Sequence, residues 1–274
     1  MDKNHPESLA KQVVANPKYQ AINPSLVLRL SQEAVDKGLV GKPAVKYVRN
    51  KLHQVAGAYF KQKINYPSAK ASLTRLPEDR NSHQVKDYCQ KWMGAHTSTG
   101  ERLPILEDFF QTCLSAIAPI NSVLDLACGL NPLAIPWMPL AHNVRYDACD
   151  IYLDMLDLID SFFKHINLLG HTHPCDLVSS IPSNTLEETQ KAHVAFLLKS
   201  IPCLEQMDKS VAGRLLEDIP AEHILVSFPV HSLGGRPKGM KHYYWEHFQD
   251  IVTGNNWQVK EFIFTSELAF LVSK

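Results

Sequence analysis

The sequence predicts a mostly parallel α/β sheet, closed by a C-terminal antiparallel hairpin and preceded by an all-helical N-terminal segment. Three observations carry this. From residue 123 onward, short apolar, β-favouring runs alternate with helical patterns, the arrangement that builds a parallel sheet with helices on its faces. The first of these runs, Val123-Leu-Asp-Leu-Ala127, stops at Cys128-Gly129, a strand ended by a tight turn. The last two, 257–265 and 268–273, are joined through Thr265-Ser-Glu267 alone; a parallel crossover needs about a dozen residues, so these two must pair antiparallel.

The 274 residues suffice for one large domain or two modest ones, and 45% apolar residues can build a core. The start, Met1-Asp-Lys-Asn-His-Pro6, is polar, and no apolar stretch approaches the roughly 20 residues of a membrane span, so a cytoplasmic protein without membrane contact is expected. The six cysteines are scattered without a Cys-x-x-Cys pair, which speaks for buried free thiols and against a metal site or a disulfide framework. Net charge is zero overall but uneven. Up to Ser98 there are 16 Lys and Arg against 7 Asp and Glu, and the remainder is correspondingly acidic. That asymmetry suggests a basic module, 1–98, that meets a polyanion such as a nucleic acid, beside an acidic module, 99–274; a solvated helical surface is the plainer explanation.

Taken in order, Pro24 to Gly38 reads as a helix with Ser25 as cap, Leu26, Leu30 and Val35 as its apolar face and Gly38 as its stop. A second helix, 43–60, carries an apolar stripe of Val45, Val48, Leu52, Val55 and Ala56. On another face Lys46, Arg49 and His53 follow at spacings of three and four with Lys42 just ahead, the candidate face for phosphate contact. Residues 65–81, rich in Pro, Ser, Lys and Arg, read as containing a loop, and helix resumes over 82–92. His96 to Pro104 then leads into a helix over 103–117 with Ser98 or Thr99 as cap and Phe109, Phe110 and Leu114 inward. Arg102, near its start, can pair with a carboxylate of a ligand or, favoured by spacing, of the protein.

Within strand one Asp125 needs partners. Asn131 as N-cap and Pro132 at the first helical position would turn free backbone N–H groups toward a ligand beyond the strand's carboxyl end, where open α/β sheets bind nucleotides. Strand two, 144–149, ends on Asp150, about 20 residues after Gly129, the interval at which nucleotide folds place a carboxylate on ribose hydroxyls. Asp147 comes too early and is expected at the surface. A helix over 153–169 turns Leu156, Ile159, Phe163 and Ile166 inward, and Cys175-Asp176-Leu177 ends a short third strand. Strand four, 194–198, closes on Lys199, which either caps the rim or faces a ligand. A helix over 204–216, strand five over 224–228 and the glycine-rich basic loop 229–240 follow; Arg236 and Lys238 in that loop can reach a substrate phosphate, or the loop is simply flexible. A helix over 243–252 precedes the hairpin.

The constellation suits an adenosine-bearing cofactor, a dinucleotide or S-adenosylmethionine. Pyrophosphate recognition wants G-x-G-x-x-G, whereas Ala127-Cys-Gly-Leu-Asn-Pro132 has one glycine, and no Walker lysine motif occurs. With the terminal hairpin, this favours a methyltransferase over an NAD-dependent oxidoreductase.

His96-x-Ser-Thr-x-Glu-Arg-Leu-Pro104, Asp125-Leu-Ala-Cys-Gly-Leu-Asn-Pro-Leu-Ala134, Leu197-Leu-Lys-Ser-Ile-Pro-Cys-Leu-Glu205 and Ser227-Phe-Pro-x-x-Ser-Leu-Gly-Gly-Arg-x-Lys-Gly-Met240 resemble the aminoglycoside-resistance 16S rRNA methyltransferases that modify N7 of a decoding-site guanine. The resemblance spans roughly residues 10–274. It implies a Rossmann-like S-adenosylmethionine-dependent methyltransferase domain after a helical rRNA-binding domain, acting without a metal, as a monomer, on 16S rRNA in the small ribosomal subunit. It places the donor's carboxylate end on Arg102 and Gly129 with His96 and Asp125 nearby, the ribose on Asp150, and the adenine on Asp176 and Leu177. Lys199, Arg236 and Lys238 would serve the RNA side, and Lys42, Lys46 and Arg49 would dock the rRNA. Guanine N7 has a lone pair and no proton, so this chemistry asks for alignment without a general base. Tyr243, Tyr244 or Trp245 could stack on an extruded base or pack beneath a loop. Adenine-N1 methylation and a non-catalytic RNA-binding protein are the competing functions.

Overall fold

Seven strands form one sheet in the computed structural model, which describes residues 5–57, 64–181, 191–230 and 240–274. They are β1 (Ile120–Leu126), β2 (Leu140–Asp150), β3 (Leu169–Pro174), β4 (Ala192–Leu198), β5 (Ala221–Pro229), β6 (Gln258–Ile263) and β7 (Glu267–Ser273), in the order β3-β2-β1-β4-β5-β7-β6. All neighbours are parallel except at β7, which pairs antiparallel with both β5 and β6. The expected hairpin is therefore present, with its second strand inserted inside the sheet. The chain leaves β1 toward β2 and β3 on one side and returns to β4 and β5 on the other. Strand order thus reverses between β1 and β4, and a crevice opens there at the carboxyl ends.

The N-terminal half is helical: α1 (Pro6–Val14), α2 (Pro24–Asp36), α3 (Gly41–Leu52), α4 (Tyr66–Leu73), α5 (His83–Met93), α6 (Thr97–Arg102) and α7 (Leu106–Leu114). Asn23, not Ser25, caps α2, accepting from Ser25 N at 3.0 Å, and Gly38 at φ 71° follows its end. The segment 65–81 contains the expected loop, over residues 74–81, after a helix not expected there, α4, capped by Asn65, whose side chain accepts from Ser68 N at 3.0 Å. Its Pro and Ser serve the first turn of a helix, where both are tolerated. The single helix expected over 103–117 is divided by a 3-10 turn at Leu103–Ile105, which contains Pro104.

After the sheet begins come α8 (Leu153–His165), α9 (Ile201–Leu204), α10 (Val211–Asp218) and α11 (Met240–Val252). The helix expected over 204–216 is thus two short ones. The segment after Gly129 is a 3-10 helix, Asn131–Trp137, with Pro136 inside it, and Asn131 does not cap it. Asp147 is not at the surface. It lies mid-β2, opposite His171 of β3, fully buried with Arg145 Nε at 2.9 Å, because β2 begins at Leu140 and β3 covers it.

Three apolar clusters hold the protein together. Under one face of the sheet, α4, α5, α7 and α8 supply Leu73, Met93, Phe110, Phe162 and Phe163. Under the other, α9, α10 and α11 supply Ile201, Leu215 and Phe248. The helices α1 to α3 close around a core of their own, including Leu9, Leu26, Leu30, Val48 and Leu52, and Ile151 and Tyr152 reach into it from the loop after β2. All six cysteines are free, and no described helix is long and apolar enough to cross a membrane.

Candidate cofactor site

A cleft of about 790 Å3, open to solvent, lies over the strand-order reversal. Its wall is built by the turn after β1, the loops after β2 and β3, the end of β4 and, from the N-terminal helices, Leu26 and Arg29.

Gly129 takes a left-handed conformation, φ 52°, that turns its N–H onto Asp150 Oδ2 at 2.9 Å. The other oxygen of Asp150 accepts from Ile151 N at 2.7 Å and Tyr152 N at 3.2 Å. Burial raises the Asp150 pKa above the ordinary carboxylate value, and these three backbone donors oppose that rise. A Cβ on Gly129 would stand 2.9 Å from Cε1 of His96, so the imidazole lies directly over the turn and only glycine fits. His96 Nδ1 pairs with Ser98 Oγ at 3.1 Å. At the opposite end, Asp176 accepts from Val178 N at 3.2 Å and Ser179 Oγ at 3.2 Å, and its carboxylate meets Arg29, with Nε to Oδ2 at 2.6 Å. Leu177 supplies an apolar surface beside it.

Behind this wall runs a buried polar chain. Tyr146 Oη donates to Asp125 Oδ2 at 2.6 Å, and Asn131 Nδ2 donates to the same oxygen at 2.8 Å. Asn131 Oδ1 accepts from Arg102 Nη1 at 2.9 Å, and Arg102 grips Glu267 through Nη2 at 2.6 Å and Nε at 3.1 Å. Ser227 Oγ donates to Glu267 at 2.5 Å, and Lys199 Nζ lies 3.3 Å from Glu267 and 3.1 Å from Glu101. Burial pushes the Asp125 carboxyl up to about 7, against its two hydrogen bonds. Burial alone would raise Glu267 too, but Arg102 and Lys199 outweigh it and hold that carboxyl below its ordinary value.

The structure brings His96, Gly129, Asp150, Asp176, Leu177 and Lys199 together on the cleft. Arg102 and Asp125 sit behind it, linked through Asn131 and absent from the lining, with Arg102 only 1% exposed. Lys199 lines the rim with its ammonium turned onto protein carboxylates. Lys42 and Lys46 are exposed on α3, whereas Arg49 packs over the Tyr19 ring at 5.8 Å and donates to Gln12 O at 3.3 Å. Arg236 and Lys238 lie outside the described residues. Tyr244 stacks on Phe228 with centroids 5.0 Å apart, Trp245 donates to Glu261, and Tyr243 is 60% exposed, its ring parallel to His247.

Sequence reasoning missed Arg29, Glu101 and Glu267. The signal for Glu267 was present: like Lys199, it is a charge at the end of an otherwise apolar strand, and the two are each other's partners. Among the described residues, His193, Glu222 and His223 also gather, with ligand atoms within 4.8 Å. There the Asn121 N–H donates to His193 Nδ1 at 3.3 Å, and His223 Nδ1 pairs with Ser273 Oγ at 2.8 Å.

These residues fit an adenosyl cofactor. The Gly129 turn, with His96 packed against it, puts bare main chain on the cleft wall, Asp150 offers a fixed acceptor for hydroxyls, and Asp176 beside Leu177 offers an acceptor next to an apolar slot. A parallel sheet with an inserted antiparallel β7 and a single-glycine turn facing two carboxylates defines a Rossmann-like S-adenosylmethionine-dependent methyltransferase. Residues 15–271 match the family described as ribosomal RNA methyltransferase (FmrO). The chain belongs to this family. It is 30% identical over 270 residues to the 16S rRNA (guanine(1405)-N(7))-methyltransferase of Micromonospora rosea, covering 98% of this chain and 96% of that one. It is 32% identical over 237 residues to the enzyme of the same name from Serratia marcescens, covering 86% of each. Among solved structures, the 16S rRNA methyltransferase RmtF in complex with S-adenosyl-L-homocysteine superposes with a TM-score of 0.80 at 27% identity, over 100% of this chain and 99% of that one.

Proposed function

We propose that this protein transfers a methyl group from S-adenosylmethionine to N7 of a decoding-site guanine in 16S rRNA of the small ribosomal subunit, and so gives resistance to kanamycin- and gentamicin-type aminoglycosides. The observation that carries the reading is the pairing of Gly129 with Asp150, opposite Asp176, in one cleft of a chain similar along 98% of its length to enzymes of that activity.

When bound, the cofactor supplies an electrophilic methyl on a sulfonium. Asp150 holds the ribose hydroxyls, Asp176 and Leu177 hold the adenine, and the Gly129 turn with His96 over it holds the amino-acid end. Arg102 and Asp125 act from behind, fixing Asn131 and the turn. Guanine N7 has an in-plane lone pair and no proton to lose, so the chain's task is alignment of the base with the methyl, and no residue has to remove a proton. N7 lies in the deep groove of A-form RNA, so the nucleotide must leave the helix or the helix must distort. The exposed ring of Tyr243 is a platform for an extruded base. Lys199, its ammonium held by Glu101 and Glu267, caps the rim; Arg236 and Lys238 contact RNA phosphate, and Lys42, Lys46 and Arg49 dock the basic module of residues 1–98 on folded rRNA. The protein acts as a cytoplasmic monomer.

The test is incubation with labelled S-adenosylmethionine and small subunits, then cleavage selective for N7-methylguanine and primer extension. A single decoding-site stop is expected. Label on an adenine instead, or none on subunits or naked rRNA, would overturn the assignment in favour of adenine-N1 methylation or a non-catalytic binding protein.

A further inference from the structure

The helices that carry the basic face also hold both carboxylates of the cleft. Arg29 of α2 reaches across 147 residues to Asp176, with Nε to Oδ2 at 2.6 Å and Nη2 to Oδ1 at 3.3 Å, a two-pronged grip on the carboxylate. Asp176 is only 8% exposed and Arg29 29%, so water screens the pair less than it would a surface pair. The other carboxylate is held indirectly. Asn23 N donates to Ile151 O at 2.7 Å and Leu153 N donates to Ala21 O at 2.7 Å, on either side of a bridge between Ile22 and Tyr152. Ile151 and Tyr152 are the residues whose N–H groups fix Asp150, and both pack into the core of α1 to α3. α2 packs against α3, which presents Lys42 and Lys46 to solvent, so the basic face lies one helix away from Arg29.

We propose that Arg29 is a positioning residue for the cofactor's adenine, and that through it rRNA docking on the N-terminal helices and cofactor binding strengthen one another. The inference rests on reading the cleft as the cofactor site. Arg29 fixes the orientation of the Asp176 carboxylate, and lysine cannot replace it, because an ammonium is a point donor without the planar fork. Because α2 and α3 share a core with Ile151 and Tyr152, an RNA surface that holds these helices in place holds the Asp176 and Asp150 supports with them. By linkage the cofactor must then tighten RNA binding by the same factor.

The experiment compares wild type, Arg29→Ala and Arg29→Lys as full chains. S-adenosylhomocysteine affinity is measured by calorimetry, small-subunit affinity with and without that ligand, and steady-state methylation. Circular dichroism and ligand-free thermal unfolding report on folding. In wild type, saturating S-adenosylhomocysteine should tighten subunit binding about fivefold or more. Arg29→Ala should weaken S-adenosylhomocysteine about tenfold, lower the coupling factor below that of wild type and raise KM for the methyl donor with kcat retained. Arg29→Lys, which keeps the charge and is the variant to use should alanine fail to fold, should recover only part of the loss. Unchanged cofactor affinity in a folded Arg29 variant, or the same coupling factor as wild type, overturns the proposal and leaves the cofactor reading standing. Wild type that binds no S-adenosylhomocysteine overturns both.

Discussion

On the two sides of the cleft wall, acidic side chains are held in different ways. Behind it, Asp125 and Glu267 are gripped by other side chains: Tyr146 and Asn131 on one, Arg102, Lys199 and Ser227 on the other. In front, Asp150 takes its three bonds from backbone N–H groups, and Asp176 combines a backbone N–H with the Ser179 hydroxyl and the Arg29 fork. The rear pair is a support whose parts depend on one another. In the front pair Asp150 is held by the course of the main chain and Asp176 chiefly by the Arg29 fork, and both carboxylates line the cleft, where a ligand can reach them. Substitution behind the wall should therefore read out as stability, and substitution in front as affinity.

The sharpest break of that contrast is Arg102→Ala. It leaves Glu267 buried without its main counter-charge and should cost about 3–5 kcal/mol in denaturant unfolding; a loss below about 1 kcal/mol would mean that Lys199 and Ser227 alone suffice. Asp150→Ala should do the reverse, weakening S-adenosylhomocysteine by about 100-fold or more, roughly 2.7 kcal/mol, while lowering ligand-free stability less than Arg102→Ala. Since the Asp150 pKa is raised and ribose contact requires the ionised form, affinity in wild type should fall as pH drops through that raised value, and Asp150→Asn should flatten the profile. Arg236→Ala with Lys238→Ala should cut methylation of subunits about tenfold with cofactor affinity intact; weaker cofactor binding would move that loop into the front set. The smallest effect should come from Lys42→Ala with Lys46→Ala, the two exposed lysines of α3. Subunit binding should weaken several-fold and its salt dependence should lessen by about two phosphate contacts, and an unchanged slope would return α3 to an ordinary solvated face.

The mostly parallel sheet, the glycine turn and the hairpin were legible because each is set locally, by apolar runs, punctuation and loop length, whereas the insertion of β7 between β5 and β6 was not. Asp150 and Asp176 were legible for the same reason, since each ends a strand. Asp125 could be marked as needing partners, but Tyr146 and Asn131 could not be named, because they meet it only once β1 and β2 are in register and the turn is closed. Asn131 looked like a cap by residue type. In the folded protein the Arg102 guanidinium takes the oxygen of its amide and the Asp125 carboxylate takes the nitrogen, and that tertiary demand overrides the local preference. Glu267 seemed a turn residue because the hairpin was counted by length, and only the register opposite Pro229 places it in the wall. Arg29 was unreadable at a separation of 147 residues.

Among the described residues, Ala127 (φ 50°) and Lys199 (φ 57°) share the left-handed backbone of Gly129, and Asn167, at the end of α8, is the other non-glycine that does so. An alanine in this conformation is strained by about 1–2 kcal/mol. The two that are not at a helix end stand where neighbouring strands β1 and β4 finish, at the mouth of the cleft. The molecule thus stores backbone strain at two neighbouring strand ends on the cleft. Ala127→Gly would relieve that tension and is a natural first choice for a hardier version of this enzyme, with accuracy at the mouth of the cleft as the property put at risk.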